Sequence, residues 1–283
     1  MTENEMVNVG EQNKYYHYKQ SANSLFNFMP KKRFLIESIQ KSSLFPRYVE
    51  ENVEYLGVMF GGEKIKKVLF PMLCFCDINL HRLPFHVEGN EENEGYGKYG
   101  IGLDKEWCQQ KGLQPVSYLN ENSSTSKLLQ AAVNRSFEIV HKGIDFDSSI
   151  EAFLDYSITQ LAFSKPLMGS MKKGEDEVYK NFHDEKEWRY LPNLDHTDMP
   201  PFKNDVNNPD LQNSFMNNQL SETLKSTEGV PLMLEMNAIN YIFVHTVEDR
   251  DEIINVLKER FNEDDALKMA TKIVIYDQIV KDW

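Results

Sequence analysis

The sequence predicts a single α+β domain with a mixed central sheet flanked by helices. Its most apolar stretch runs from Val68 to Phe75, has the length of one strand, and is bounded by a lysine on one side and an aspartate on the other. Such a near-continuous apolar run is typical of a strand buried on both faces. Helix and strand patterns alternate on either side of it without an internal repeat, and 283 residues suffice for one large core.

The N-terminal part begins with a polar stretch, residues 1–22, which we expect to be poorly ordered. The domain then spans residues 23–283. Leu25 to Met29 has the pattern of a short first strand ended by Pro30. Lys32 to Lys41 follows as an amphipathic helix with its apolar residues at helical spacing.

The middle of the chain contains three further helix patterns. Asp104 is suited to cap a helix from Lys105 to Gln110, because its side chain can accept a backbone N–H of the first turn. Apolar stripes from Ser126 to His141 and from Ile150 to Phe163 predict two packed helices. The acidic stretch Glu88 to Glu94 is expected to be a solvated loop.

The C-terminal part starts with residues 165–183, which we interpret as a polar connection, and Glu187 to Leu191, which we interpret as a strand. Residues 195–229 are rich in Asn and predict an insertion loop, partly disordered and with one weak helix. The remaining patterns predict strands at Pro231–Met236, Ile239–His245 and Lys272–Tyr276, and helices at Glu248–Phe261 and Asp264–Ala270.

Charge and composition exclude several classes of protein. The formal net charge of −13 argues against general nucleic-acid binding, which needs clustered Lys and Arg. No apolar run approaches the roughly 18 residues that span a membrane, and the N-terminus lacks a signal-peptide pattern. Three cysteines fit a reducing compartment better than a disulfide framework. We therefore expect a cytoplasmic protein without membrane contact.

A set of ordered motifs points to a known family. They are Cys74-Phe75-Cys76-Asp77-Ile78, Tyr96-Gly97-Lys98-Tyr99-Gly100-Ile101-Gly102-Leu103, Lys105-Glu106-Trp107 and Pro115-Val116-Ser117-Tyr118. In this order the chain resembles the AbiGi family, antitoxins of bacterial abortive-infection (phage-resistance) systems. The likeness extends back to Leu25 and forward to Glu185-Lys186-Glu187-Trp188-Arg189.

The resemblance implies an antitoxin that limits a nucleotidyltransferase-like toxin encoded by a neighbouring gene. That toxin is the expected partner, and no cofactor is expected. Whether the chain touches the toxin or opposes it at the toxin's target stays open, as does the question of whether it is an enzyme. A protein-binding module without any chemical site is a further possibility.

A second resemblance gives the alternative function. A first strand followed by a helix, a central aromatic wall and a late strand carrying Glu187 resemble ADP-ribosyltransferase-like domains. The likeness implies Glu187 as the acid that orients a ribose, Tyr96 or Tyr99 as a partner that stacks on nicotinamide, and NAD as the cofactor. Asn27 stands where those domains have a histidine and cannot supply an imidazole, so the copy is expected to bind a nucleotide without turning it over.

Alternation along the strand at Glu187 puts Glu187 and Arg189 on one face and Trp188 and Tyr190 on the other. A structural salt bridge is the competing interpretation of this pair. The glycines Gly97 and Gly100 could bind phosphate through their backbone N–H groups, with Arg47 as a nearby cation, or could form a tight turn between strands. The segment lacks the Gly-Lys-Ser/Thr sequence of a P-loop.

The remaining candidates are thiols and imidazoles. Cys74 and Cys76 share one face of a strand and are interpreted as core residues, with a nucleophile or half of a metal site as the alternative. His81 and His86 follow Asp77 closely, which allows a general base or a structural role. We expect no metal site, because a second pair of ligands at a recognised spacing is missing.

Overall fold

The computed structural model describes residues 21–87, 96–144, 147–173, 176–206, 208 and 214–282. Of the segment predicted to be poorly ordered, residues 1–22, residues 1–20 lie outside the described residues. The acidic stretch predicted as a solvated loop, residues 88–94, lies outside them as well.

The described residues form short strands and helices in alternation. Strands β1 to β17 lie at Ser24–Met29, Ser43–Leu44, Arg47–Asn52, Met59–Phe60, Glu63–Lys64, Lys67–Cys76, Tyr99–Asp104, Gln114–Pro115, Ser117–Leu119, Ser164–Pro166, Met168–Lys173, Asp176–Asn181, Glu187–Tyr190, Lys203–Asn204, Leu232–Met233, Ile239–Val244 and Ile273–Ile275. Helices α1 to α9 lie at Lys32–Lys41, Leu83–Val87, Lys105–Gln110, Ser124–Lys142, Ser148–Ala162, Ser214–Ser226, Val247–Arg260, Glu263–Ala270 and Tyr276–Asp282.

A nine-stranded sheet organises the fold. Its order is β17-β16-β7-β1-β6-β13-β8, and β3 and β14 also pair with β6. The β16–β17 pair is parallel, whereas β6 pairs with its neighbours in antiparallel orientation. This confirms the predicted α+β domain with a mixed central sheet, and it confirms the apolar run from Val68 to Phe75 as the central strand.

Two apolar cores flank the sheet. The first packs α1, α7 and α8 against β1, β7 and β16, with fully buried residues such as Leu35, Ile101 and Ile253. The second packs α4 and α5 against β6, with Val133 and Phe137 fully buried. Burial of these aliphatic and aromatic side chains is the main stabilising contribution to such a fold, at about 25 cal/mol for each Å² of apolar surface.

The central sheet divides along one edge of β6. On that edge β1 is in register with β6 only at Phe26 and Cys76, and β3 begins its ladder with Arg47 opposite Met72. Beyond Phe26, β1 instead continues along β7 as far as Met29. Among the described residues, the stretch of β6 between the two ladders therefore has no backbone partner on this edge, and the sheet opens into a cleft.

Helix α3 contributes Lys105 to a buried ion pair with Asp77. Its N-cap is the predicted Asp104, whose Oδ1 accepts the Trp107 backbone N–H at 2.9 Å. Lys105 is 3% exposed, and its Nζ donates to Asp77 Oδ2 at 2.6 Å, Ser21 Oγ at 3.2 Å and Ala22 O at 3.3 Å. Three acceptors match the three N–H donors of an ammonium, so this group is fully hydrogen-bonded.

The interpretation of residues 165–183 as a polar connection is wrong. This segment contains β10, which pairs in parallel with β9, and the antiparallel hairpin β11–β12. A two-stranded ribbon can leave both faces in water, so it lacks the apolar alternation by which a strand is recognised in sequence.

Residues 195–229 contain β14, which adds to β6, and helix α6, the predicted weak helix. Leu224 in this segment and Val230 directly after it are fully buried beside Tyr48 and Leu69. Helix α6 covers β3, and the Tyr48 backbone N–H donates to Ser221 Oγ at 3.1 Å. The described part of the Asn-rich segment is therefore packed onto the sheet.

Candidate functional site: the cleft in the central sheet

A cavity of about 1160 Å³ occupies the division of the sheet. Its wall draws on the N-terminal strand and helix, the central strand and several late elements. Residues that matter below are Asn27, Arg33, Arg47, Glu51, Cys74, His86, Tyr96, Lys165, Glu185 and Glu187. A cleft of this size is in the range of small-molecule sites, which are commonly a few hundred to about 1,000 Å³.

Asn27 holds the division of the sheet in place. Its Nδ2 donates to the backbone carbonyl of Cys74 at 2.8 Å. A side-chain amide thus replaces the ladder hydrogen bond that β1 no longer gives to β6. Among the described residues the Asn27 Oδ1 has no donor, which leaves it as an acceptor for an occupant of the cavity.

Glu187 and Arg189 share one face of β13, as predicted. Arg189 is fully buried, and its Nε donates to Glu187 Oε1 at 2.7 Å. Its Nη2 donates to Glu51 Oε1 at 2.7 Å, and its Nη1 donates to the carbonyl of Ala162. The predicted salt bridge is therefore present, and it forms part of the cavity wall through Glu187 and Glu51.

Lys165 extends this pair into a longer row of charges. Its Nζ donates at 2.7 Å to Glu187 Oε2 and at 2.7 Å to Glu185 Oε2, while Lys180 Nζ donates to Glu185 Oε1 at 2.7 Å. Acid and base alternate in the order Glu51, Arg189, Glu187, Lys165, Glu185, Lys180, which we call the charge chain. The two contacts of Lys165 leave its third N–H without an oxygen or nitrogen acceptor among the described residues, and its Nζ lies 4.9 Å from the Phe182 ring centroid.

Burial and pairing act in opposite directions on the pKa values of the charge chain. Burial would raise the pKa of Glu187, but Arg189 and Lys165 outweigh it and lower this pKa to about 2. Burial would lower the pKa of Lys165, but the neighbouring carboxylates, Glu187 first, raise it instead. At neutral pH Glu187 is therefore an ionised hydrogen-bond acceptor and not a proton donor.

Tyr96 and His86 form a stacked pair beside the charge chain, with ring centroids 4.6 Å apart. The Tyr96 hydroxyl donates to Glu185, and Lys180 Nζ lies 5.3 Å from the Tyr96 ring centroid. Burial lowers the His86 pKa to about 4, so its imidazole is neutral. Asp77, the carboxylate proposed to assist His81 or His86, instead accepts from Lys105 and Ala22.

The other residues predicted for binding divide between the cavity and its surroundings. Arg47 lines the cavity, and its Nη2 donates to Asn218 Oδ1 at 2.9 Å. Tyr99 lies elsewhere, with its hydroxyl donating to Asp249 Oδ2 at 2.9 Å. Gly97 has φ +96°, and a Cβ there would lie 2.1 Å from the Met29 carbonyl oxygen; one at Gly100 would lie 2.7 Å from the Asn27 carbonyl oxygen. Close approach of β1 is thus a packing reason for both glycines.

The two strand cysteines have the environment of core residues. Cys76 is buried, Cys74 is half-buried, and burial raises the pKa of both thiols well above the usual value. Neither is therefore a thiolate at neutral pH. Within the part of the chain that the structure describes, no group of three or more His, Cys, Asp and Glu is arranged to hold a metal ion.

Sequence reasoning named Asn27, Tyr96, Glu187 and Arg47, which all line the cavity, but assigned no role to Lys165, Glu185 or Glu51. Lys165 stood inside the supposed polar connection, and Glu51 lies 138 positions from its partner Arg189. The only local signal was the alternation that placed Glu187 and Arg189 on one face. A buried arginine needs acceptors for its remaining N–H groups, which predicts a further carboxylate without saying which one.

Comparisons with known proteins agree on one family. A family model described as "Putative abortive phage resistance protein AbiGi, antitoxin" matches residues 42–226. A protein from Lactococcus lactis subsp. cremoris named "Abortive phage resistance protein AbiGi" is 33% identical over 255 residues, which covers 85% of this chain and 100% of that protein. The matched range contains Arg47, Glu51, the charge chain and helix α6.

No solved structure matches the chain, so an ADP-ribosyltransferase-like fold stays a prediction. None of the helices in the described ranges combines the length and the hydrophobicity that crossing a bilayer requires.

Proposed function

The chain belongs to the AbiGi family, and we propose on this basis that it is the antitoxin of an abortive-infection (phage-resistance) pair. The observation that carries the proposal is the similarity along the whole length of the Lactococcus protein. We further propose that the toxin is nucleotidyltransferase-like, is encoded by a neighbouring gene, and is opposed in the cytoplasm.

The cleft in the sheet is our candidate for the part of the molecule that performs this function. It combines features that a purely structural core does not need: ionised side chains, together with one N–H of Lys165 and the Asn27 Oδ1, for which the described residues supply no hydrogen-bond partner, in a wall open to solvent. A buried row of charges costs desolvation free energy that apolar residues of similar size would not cost. Its presence at the wall of a cavity supports a role in recognition.

Growth of a bacterial host tests the proposal. The host would express this chain alone, the neighbouring gene alone, both together, and both with Glu187→Gln in this chain. We expect the neighbour alone to arrest growth, the pair to grow, and the Glu187→Gln pair to grow less well. Glu138→Gln, a change of an exposed glutamate on α4, serves as the matched control. Toxicity of this chain alone would contradict the antitoxin proposal.

A second candidate function is that of an ADP-ribosyltransferase-like protein that binds NAD without turning it over. One observation favours it: Asn27, Tyr96 and Glu187 line the same cavity. The Asn27 Oδ1 and the Glu187 carboxylate fit ribose hydroxyls. Tyr96 does not fit a nicotinamide ring, because His86 and Lys180 already occupy positions against its ring.

Equilibrium dialysis with NAD, together with an assay of NAD consumption, separates this candidate from the antitoxin proposal. Binding without consumption, weakened by Glu187→Gln, would support it. Failure to bind NAD would remove it and leave the growth experiment unaffected.

A further inference from the structure

We propose that the cleft binds a nucleoside monophosphate, with the phosphate at Arg33 and Arg47 and the ribose hydroxyls at Asn27, Lys165 and Glu187. The inference goes beyond the antitoxin proposal and does not depend on it. It rests on how charge and hydrogen-bonding capacity are distributed between the exposed end and the buried end of one cavity.

The exposed end carries arginines without acidic partners. Arg33 on α1 and Arg47 on β3 are both exposed, both line the cavity, and neither forms an ion pair with a described residue. Two lysines that also line the cavity are already paired: Lys225 with Glu37 at 2.5 Å and Glu222 at 3.5 Å, and Lys67 with Glu50 at 2.7 Å. A guanidinium that is not already paired is suited to a phosphate, whose oxygens match its fork of N–H donors.

The buried end has no spare charge. Each carboxylate of the charge chain is held by a cation, and Glu187 is only 7% exposed in its side chain. A second anionic group would meet the oxygens of Glu51 and Glu187 there. What the buried end does offer is one N–H of Lys165, the Asn27 Oδ1 and the remaining lone pairs of Glu187. These groups suit hydroxyls, which both donate and accept hydrogen bonds.

The distance between the two ends fits a ligand with one phosphate terminus. Arg47, Val49 and Glu51 share one face of β3 and all line the cavity. Four residues of strand separate Arg47 from Glu51, or about 13 Å at ~3.3 Å per residue. This is comparable with the length of a nucleoside monophosphate, and the cavity volume of about 1160 Å³ leaves room for its base beside the apolar wall of Phe26, Phe28 and Phe75.

Isothermal titration calorimetry on the full chain tests the proposal with defined probes. The panel is AMP, GMP, CMP and UMP, with adenosine, ribose 5-phosphate, inorganic phosphate and NAD as comparisons. We expect at least one monophosphate to bind, and we expect its nucleoside and inorganic phosphate to bind roughly tenfold more weakly or worse, because each lacks one end of the ligand. Binding of ribose 5-phosphate as tight as that of the nucleotide would overturn the part of the proposal that seats the base.

Variants then locate the two ends. The change of both arginines, Arg33→Ala with Arg47→Ala, is expected to weaken the monophosphate by about tenfold or more and to leave adenosine binding unchanged. Arg135→Ala, at an exposed arginine on α4 that pairs with Glu138, is the matched control and should change neither.

Three results would overturn the proposal: no monophosphate binds, the arginine variant binds as tightly as the natural chain, or NAD binds more tightly than every monophosphate. Because all these arginines are exposed, the variants should fold, and circular dichroism checks this. The same double variant in the growth experiment shows whether nucleotide binding and antitoxin function are linked, so failure of one proposal is distinguishable from failure of the other.

Discussion

Lys105 is buried and Lys165 is half-buried, and the two lysines lie on opposite faces of strand β13. Lys105 lies 5.2 Å from the Trp188 ring centroid, and Lys165 binds Glu187, the neighbouring residue that points the other way. Lys105 has three acceptors for its three N–H groups, whereas Lys165 has two among the described residues and lines a cavity. The number of hydrogen bonds that each ammonium group forms therefore distinguishes the two lysines. Lys105, with all three N–H groups bonded, is structural, and Lys165, with one N–H that no described residue accepts, is a candidate recognition group.

The comparison also separates two parts of the fold. At the Lys105 site, Asp77 accepts hydrogen bonds from the Ala22 backbone N–H and from Lys105 of α3. These bonds attach the N-terminal end of the described chain and α3 to the segment that follows β6. The charge chain joins β3, β10, β12 and β13 around the place where β1 and β3 leave a gap. Loss of the first should reduce stability alone, and loss of the second should reduce stability and function together.

The largest expected effect on stability is that of Arg189→Met. Removal of this guanidinium leaves Glu187 and Glu51 without the cation between them, and a buried charge that loses its partner costs about 3–5 kcal/mol. Urea unfolding measures the loss. The exposed pair of Arg250 and Asp251 supplies the control, Arg250→Met, for which we expect less than about 1 kcal/mol. Equal losses of stability in the two variants would show that Arg189 does not compensate buried charges in the charge chain.

Lys105→Met should destabilise the chain by a similar amount, about 3 kcal/mol, because Asp77 would keep a buried charge without a cation. Monophosphate binding, measured by calorimetry at a temperature where the variant is folded, should not change. Lys111→Met, at an exposed pair with Glu235, is the control on the same side of the molecule. Loss of ligand affinity in Lys105→Met would remove the distinction between the structural lysine and the candidate recognition group.

Acid should act on the cavity wall in two steps. The unfolded chain takes up a proton at His86 near its ordinary pKa of 6.5, while burial keeps the folded pKa at about 4. Between these values the unfolded state holds more protons, so the free energy of unfolding falls as the pH falls, by at most about 1.4 kcal/mol per pH unit. Glu187 continues the loss between 4.5 and about 2, because its folded pKa is the lower one.

Urea unfolding at several pH values measures both steps. His86→Phe keeps an aromatic ring beside Tyr96 and should flatten the dependence only between about pH 6.5 and about pH 4. Glu187→Gln should flatten it only between about pH 4.5 and about pH 2. A His86→Phe chain with the pH dependence of the natural chain would show that His86 is not held neutral by burial.

The smallest expected effect is that of Asn27→Ala. The Cys74 carbonyl would lose its donor at the gap in the sheet, and an unsatisfied buried acceptor costs about 1–3 kcal/mol. Asn27→Asp offers no N–H either and adds a charge, so it should cost at least as much. If both variants had the same midpoint of urea unfolding as the natural chain, the Asn27 hydrogen bond to Cys74 would not stabilise the sheet at the gap.

Features set by residues close together in the sequence could be predicted, and features set by residues far apart in the sequence could not. Helix α1 was predicted at its observed bounds, Lys32–Lys41, and Asp104 was predicted as the cap of α3, because spacing and capping are local signals. The face shared by Glu187 and Arg189 followed from alternation alone. The gap between β1 and β3 could not be predicted, because it depends on which strands pair with β6. The pattern of apolar residues in a strand does not identify the strand with which it pairs. Lys165 was missed for the same reason.

The most direct test compares rescue of growth by Lys165→Met and by Lys142→Met in a host that carries the proposed toxin gene, with soluble protein levels matched. Lys142 is exposed, and its one ion pair with a described residue is that with Glu138 on its own helix. We predict that Lys142→Met rescues growth like the natural chain and that Lys165→Met, at an equal level of folded protein, does not. Full rescue by a folded Lys165→Met chain would contradict the claim that the cleft in the central sheet is the part of the molecule that performs the proposed antitoxin function.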